Sequence, residues 1–248
     1  MKTTLQGKGL YKVFDDTEVL KGIDIAVQEG EFVAVMGQSG SGKSTLLYNI
    51  SGMDRITKGE ILFDSEDIAG HDDEKMSHIR LQKMGFIFQQ SHLLRTLSIK
   101  DNVVLPGFKA GQKSREEVVA QAEALIERTG IAHIADHDIK KVSGGQLQRA
   151  AICRALINQP EILFADEPTG ALNSSATREI MDIINEENAK GTAVMMVTHD
   201  AKVAARADRV IFLADGKITD EINLGKYSKE QCAARESRMM RWLEEQGL

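Results

Sequence analysis

Gly37-Gln38-Ser39-Gly40-Ser41-Gly42-Lys43-Ser44-Thr45 fits the spacing GxxxxGK[ST]. It lies between the apolar run Phe32 to Met36 and a helical pattern opening at Ser44, the strand–loop–helix setting that a phosphate-cradling loop needs. Glycines let successive backbone N–H groups turn inward around the β- and γ-phosphates of a nucleotide such as ATP, and the helix behind them points its positive end at the same charge. In this reading Lys43 supplies the cation, the Ser44 hydroxyl binds Mg²⁺ and Thr45 stands near the α-phosphate. A purely structural glycine turn is the bland alternative, and the rest of the chain decides between them.

Outward from this loop, short apolar runs recur at Gly85 to Phe88, Ile162 to Ala165, Ala193 to Val197 and Val210 to Leu213. They are unbroken rather than alternating, as strands buried on both faces are, which points to a largely parallel sheet. Helical patterns at Asp73 to Lys83, Gly145 to Ile157, Ser174 to Ala189 and Ala201 to Ala207 alternate with them, giving the βαβ pattern of an α/β fold. Between Gln90 and Ile157 no strand is expected. Two capping-box starts occur there instead, Ser98 with Asp101 and Ser114 with Glu117, the second opening a helix that runs to Arg128 and stops at Gly130. This stretch reads as a helical insertion. A last helix is expected within Ser228 to Gln246, with Cys232, Met239, Trp242 and Leu243 near one face and Arg235, Arg238 and Arg241 on the other.

The 248 residues are 42% apolar, enough for a substantial core. Lys and Arg total 31 against 37 Asp and Glu, a net charge of −6 that lacks the basic footprint of a nucleic-acid binder. No apolar run approaches the roughly 18 residues of a membrane span, so none is expected. The start, Met1-Lys2-Thr3-Thr4-Leu5-Gln6-Gly7, has no apolar stretch of a secretory signal, and the expected compartment is the cytosol. Cys153 and Cys232, far apart and without metal-ligand spacing, read as free thiols.

Ile162-Leu163-Phe164-Ala165-Asp166-Glu167 is an apolar strand ending in two carboxylates, which in an open α/β sheet face the ligand crevice. Asp166 suits Mg²⁺, and Glu167 suits a general base that polarises water. In Val142-Ser143-Gly144-Gly145-Gln146-Leu147-Gln148-Arg149, Ser143 is a good N-cap for the helix that follows, and the glycines expose N–H groups beside it as a second anion site.

Ser143-Gly144-Gly145-Gln146 resembles the signature of ATP-binding cassette (ABC) ATPases, and the resemblance covers about residues 3 to 225. Phe88-Gln89 is similar to the family's Q-loop, Pro168 to Asn173 to its D-loop, and Thr198-His199-Asp200 to its switch histidine. Phe14 matches the aromatic that stacks on adenine, with Tyr11 the lesser candidate. The resemblance implies a P-loop (RecA-like) core with a mostly parallel sheet, an N-terminal antiparallel β portion and an inserted helical subdomain at about 90–157. The cassette would span 1–225, with a helical tail at 226–248. It implies that Gln89 links Mg²⁺ and the attacking water to the helical subdomain, and that His199 bonds the γ-phosphate beside Glu167. The signature of such ATPases faces ATP on another subunit, so a second cassette, as a homodimer, and a separate membrane permease are the implied partners, at the cytoplasmic face of the membrane. Details such as Asp101 to Pro106 and Glu167 to Leu172 resemble the branch of macrolide-exporter, lipoprotein-release and bacitracin-type peptide-resistance ATPases, the tail being closest to the last. A regulatory cassette of the cell-division kind, transmitting force without transport, is the competing reading. Asn173 departs from the family's usual Asp, which puts intersubunit coupling and hydrolysis rate in doubt. His71, His78, His92, His133 and His137 receive no role.

Overall fold

The computed structural model describes residues 2–247. In chain order it forms β1 (Thr3–Phe14), β2 (Thr17–Gln28), β3 (Phe32–Met36), α1 (Lys43–Ile50), β4 (Lys58–Phe63), β5 (Glu66–Asp67) and α2 (Asp73–Lys83). There follow β6 (Met84–Phe88), α3 (Ile99–Ala110), α4 (Arg115–Arg128), α5 (Gly144–Leu156), β7 (Ile162–Asp166) and α6 (Ser174–Ala189). The chain ends with β8 (Ala193–Val197), α7 (Ala201–Ala204), β9 (Arg209–Ala214), β10 (Lys217–Asn223) and α8 (Cys232–Glu245).

These elements group into two compact units, Met1–Met76 with Asn185–Leu248, and Ser77–Ile184. In the first, β1 pairs antiparallel with both β2 and β4, the expected N-terminal antiparallel portion. The same unit holds β3 parallel to β8 and β9, with β10 closing antiparallel on β9. Every residue of β3 and of β8 is buried, which is why their sequences are continuous apolar runs. Asp208 ties the edges together: its carboxylate accepts from the Phe32 N–H at 2.8 Å and from Lys226 Nζ at 2.6 Å.

In the second unit β6 and β7 pair in parallel, Met84 opposite Ile162 through Phe88 opposite Asp166, and the rest is helical. Phe86 stacks on Phe164 across this pair at 5.4 Å between ring centroids. α4 opens on a complete capping box, the Ser114 side chain accepting from the Glu117 N–H and Glu117 returning to the Ser114 N–H. At α3 the expected box is only half made. Ser98 accepts from the Asp101 N–H, but Asp101 meets the Ser98 hydroxyl at 2.7 Å instead of its backbone N–H, since aspartate is one methylene shorter than glutamate.

α8 starts at Cys232, later than the expected helix, because Lys229–Gln231 form a 3₁₀ turn. Its arginines do not share a face. Arg235 is buried with Met239, Trp242 and Leu243, while Arg238 and Arg241 are exposed and Cys232 is half-buried. The Arg235 guanidinium donates to the carbonyls of Ala205, Ala207, Leu224, Gly225 and Lys226, and burial holds its pKa below the ordinary arginine value. Trp242 Nε1 donates to Asp220 Oδ2 at 2.9 Å, and its ring meets Phe212 edge-on. The tail is thus packed into its own unit through both apolar and hydrogen-bonded contacts. Neither Cys153 nor Cys232 is in a disulfide.

Candidate nucleotide site

Gly37, Gly40 and Gly42 turn the loop between β3 and α1 with φ values of +145°, +80° and +100°. At Gly37 a β-carbon would stand 2.0 Å from the Leu213 carbonyl oxygen, so both the dihedral and the space demand glycine. Gly42 is the N-cap of α1 and has no side chain to cap the first turn, and the N–H groups of a helix start favour an anion. Lys43 Nζ folds back over the loop, donating to the carbonyls of Gly37 at 2.9 Å and Gln38 at 2.7 Å. Ser41 is 6% exposed and its hydroxyl has no hydrogen-bond partner among the described residues. Gln38, Ser39 and Gly40 are exposed at the loop's crown, and Ser44 and Thr45 are half-buried in the first turn of α1.

Two more expected residues stand in the same unit. Thr198 N–H donates to the Val35 carbonyl at 3.2 Å, so β8 ends beside β3, and the exposed His199 leaves the same strand end as the loop. Asp200 then caps α7, accepting from the Lys202 and Val203 N–H groups. Phe14 lies at the tip of the β1–β2 hairpin with 47% of its surface exposed. That hairpin reaches the loop through Val19, whose carbonyl would be 3.1 Å from a β-carbon on Gly42. Tyr11 is half-buried, its hydroxyl packed over Gly22.

In the second unit, Asp166 ends β7 and Glu167 follows it, and both are half-buried. Glu167 adopts φ +47°, a left-handed conformation that a non-glycine residue keeps only where its surroundings enforce it. Gln89 leaves the neighbouring strand at the same level, because Phe88 and Asp166 are register partners. The two side chains converge on Gly170: a β-carbon there would lie 2.9 Å from Gln89 Nε2 and 3.3 Å from Glu167 Oε2. α5 holds the Q-loop on both sides of its turn. Gln148 Nε2 donates to the Phe88 carbonyl at 2.8 Å, and Arg154 donates to those of Ser91 at 2.8 Å and His92 at 2.7 Å.

Ser143 caps α5 in a reciprocal box with Gln146. Ser143, Gly144, Gly145 and Gln146 line a cleft of about 440 Å³ together with Asn173 and His133. Gln146 Oε1 accepts from the Ser143 N–H at 2.9 Å, and its Nε2 lies 3.3 Å from His133 Nε2. Asn173 caps α6, its Oδ1 accepting from the Ala176 N–H at 2.9 Å.

The structure therefore gathers Gln89 with Glu167 and the signature with Asn173 in one unit, and places the phosphate loop, His199 and Phe14 in the other. Among the described residues no group of three or more His, Cys, Asp or Glu side chains is arranged to hold a metal ion. The expected Mg²⁺ donors are instead a hydroxyl on Ser44, an amide oxygen on Gln89 and one carboxylate on Asp166, hard oxygens of the kind Mg²⁺ takes when phosphates and waters complete its shell. Sequence reasoning did not find His133, Gln148 or Arg154. His133 carries no local signal, whereas Gln148 and Arg154 follow the signature on the helix that it caps.

The family described as ABC transporter matches residues 20–170. The chain is 39% identical over 222 residues to the lipoprotein-releasing system ATP-binding protein LolD of Aquifex aeolicus, covering 90% of this chain and 99% of that protein. It is 44% identical over 203 residues to the pyoverdine export ATP-binding/permease protein PvdT of Pseudomonas fluorescens, covering 82% of this chain but 31% of that protein. The chain thus spans about a third of PvdT and nearly all of LolD. A solved structure described as dimeric MJ0796, a bacterial ABC transporter cassette, superposes with TM-score 0.84 at 38% identity, covering 90% of this chain and all of that one. MJ0796 in a post-hydrolysis state bound to ADP and Pi superposes with TM-score 0.82 at 36% identity.

Proposed function

The chain belongs to the ABC transporter family as an ATP-binding cassette with ATPase activity, and from that premise we propose that it powers a separate membrane permease in export or resistance. The observation that carries the reading is the loop 37–42, with three left-handed glycines, an uncapped helix start and Lys43 folded across it. Lys43 and the N–H groups of α1 would hold the β- and γ-phosphates, and Ser44, Gln89 and Asp166 would hold Mg²⁺, which when bound would neutralise developing phosphate charge. Glu167 takes the proton of the attacking water, with Gln89 orienting that water and His199 bonding the γ-phosphate. Phe14 stacks on the nucleobase. Ser143 to Gln146 present their N–H groups to ATP held by a second copy, so hydrolysis accompanies closure and release of a dimer.

Among the described residues no helix is long and apolar enough to cross a membrane. We place the cassette at the cytoplasmic face, on a permease near Gln89 and the helical segment 90–157. LolD and PvdT, by their descriptions, serve lipoprotein release and pyoverdine export. We take the substrate to be a peptide antibiotic or a lipid-linked molecule, with a regulatory cassette of the cell-division kind as the alternative. The gene's neighbour separates these two: a permease with a large extracellular domain supports export, a regulator of a wall hydrolase the alternative. The nucleotide site is tested by Lys43→Ala, which removes the phosphate-facing cation. Calorimetry should show ATP binding abolished. Retained micromolar affinity with unchanged salt dependence would refute the assignment.

A further inference from the structure

Lys12 is an unusual lysine. It is 8% exposed on β1, and a buried ammonium is costly unless paired and hydrogen-bonded. Its Nζ lies 2.9 Å from Asp54 Oδ1 and 2.7 Å from the Arg55 carbonyl oxygen. Asp54 Oδ2 lies 2.8 Å from the same ammonium, so the carboxylate grips it with both oxygens, and the ring of Phe14 stands against it with Nζ 4.6 Å from the centroid. That distance is within cation–π range. The anchor is itself fixed: Asp54 Oδ2 accepts from Asn49 Nδ2 at 3.3 Å, and Asn49 is a fully buried residue of α1, the helix that opens at Lys43. The end of β1 is pinned a second time, since the Val13 N–H donates to Thr57 Oγ1 at 3.0 Å.

An aromatic side chain at a hairpin tip with nearly half its surface exposed would ordinarily sample several orientations. Here one face of the Phe14 ring is occupied by a buried ammonium that cannot move without breaking its ion pair with Asp54 and its hydrogen bond to the Arg55 carbonyl. With 47% of Phe14 exposed, the ring surface that Lys12 does not cover is open to a base.

We propose that Lys12 is the positioning residue of the nucleobase platform: it holds the Phe14 ring in a stacking orientation and, through Asp54 and Asn49, at a set distance from the phosphate-loop helix. This rests on the reading of Phe14 as the base-stacking residue. The cation also draws π density toward its own face, so the opposite face repels the π cloud of a purine less and stacks on it better. Lys12 therefore acts on the base and not on the phosphates, and that asymmetry separates it from a lysine that merely supports the fold.

The test uses the full chain and two probes, Mg·ATP and Mg·tripolyphosphate, which presents the phosphates without a base. Phe14→Leu should weaken ATP and leave tripolyphosphate unchanged. Lys12→Met, which keeps the aliphatic stem and removes the charge, should weaken ATP by about three- to tenfold with tripolyphosphate unchanged. It should add nothing to the ATP loss in the Phe14→Leu background, because the cycle then has no interaction left to break. Lys12→Arg, which can pair with Asp54 and cover the same ring face, should recover most of the affinity. If the Met variant does not fold, Asp54→Asn loosens the same ammonium without changing shape, and it should weaken ATP selectively by a smaller factor. Equal losses for ATP and tripolyphosphate, or a full Lys12→Met effect in the absence of Phe14, would overturn the inference and make Lys12 structural. A Phe14→Leu variant that binds ATP normally would instead overturn the stacking role of Phe14, and the inference with it.

Discussion

Replacing Asn173 by Asp tests the D-loop at both its local and its catalytic level. Asn173 Oδ1 caps α6 through the Ala176 N–H at 2.9 Å, and its backbone carbonyl accepts from the Thr177 N–H at 2.9 Å. Aspartate is an equally good N-cap with the same acceptor in the same place, so the cap survives the change. The added charge sits at the positive end of a sixteen-residue helix, a favourable interaction of about 0.3–1 kcal/mol. In a domain of this size about 1 kcal/mol moves the thermal midpoint by about 2–4 °C, so Asn173→Asp should raise it by about 1–4 °C. Asn173→Ala removes the cap at a cost of about 1 kcal/mol, and should lower the midpoint by about 2–4 °C. Turnover of the Asp variant is expected to rise several-fold, about 1 kcal/mol at the barrier, with ATP affinity nearly unchanged. Differential scanning calorimetry reads the first pair of effects, and steady-state ATPase with and without the permease reads the last. An Ala variant as stable as the parent would refute the capping argument, and equal or lower turnover in the Asp variant would show that Asn173 is suited to its site and not a loss.

Arg154→Lys replaces a fork that serves the Ser91 and His92 carbonyls with a point charge that cannot span both, so amide exchange at residues 90–93 should accelerate and stability should fall by about 1 kcal/mol. Trp242→Phe keeps an aromatic ring beside Phe212 but deletes the hydrogen bond to Asp220, worth about 1.5–3 kcal/mol for a charged acceptor, and the thermal midpoint should drop by several degrees while ATP hydrolysis persists. The Glu117 carboxyl is held below the ordinary glutamate pKa by the Ser114 backbone N–H and then by its hydroxyl. Its contribution to the start of α4 is therefore present above the unfolded pKa and lost as pH falls through the lower folded one. The Ser114 amide proton should titrate with that lowered midpoint by NMR, and Glu117→Gln should flatten the curve.

What was legible in the sequence alone is what depends on neighbours within a few residues. The phosphate loop is one such feature, because three glycines, a lysine and a hydroxyl must follow one another for backbone N–H groups to turn inward. The N-caps at Ser114 and Ser143 are others, since a cap and its N3 partner are three positions apart. The buried strands β3 and β8 declared themselves by unbroken apolar runs, as strands covered on both faces must. Tertiary structure alone decided the contacts that span tens of residues: Gln148 on the Phe88 carbonyl, Arg154 on Ser91 and His92, Gln89 and Glu167 meeting at Gly170, and Lys12 between Asp54 and Phe14. It also turned Arg235 inward against the expectation of a basic outer face on the tail. Helical spacing places Arg235 with Met239 and Trp242 as readily as with Arg238, and five backbone carbonyls left by the ends of other elements give a buried guanidinium the acceptors it needs. Charge by itself predicts solvent; only the folded chain shows where acceptors converge.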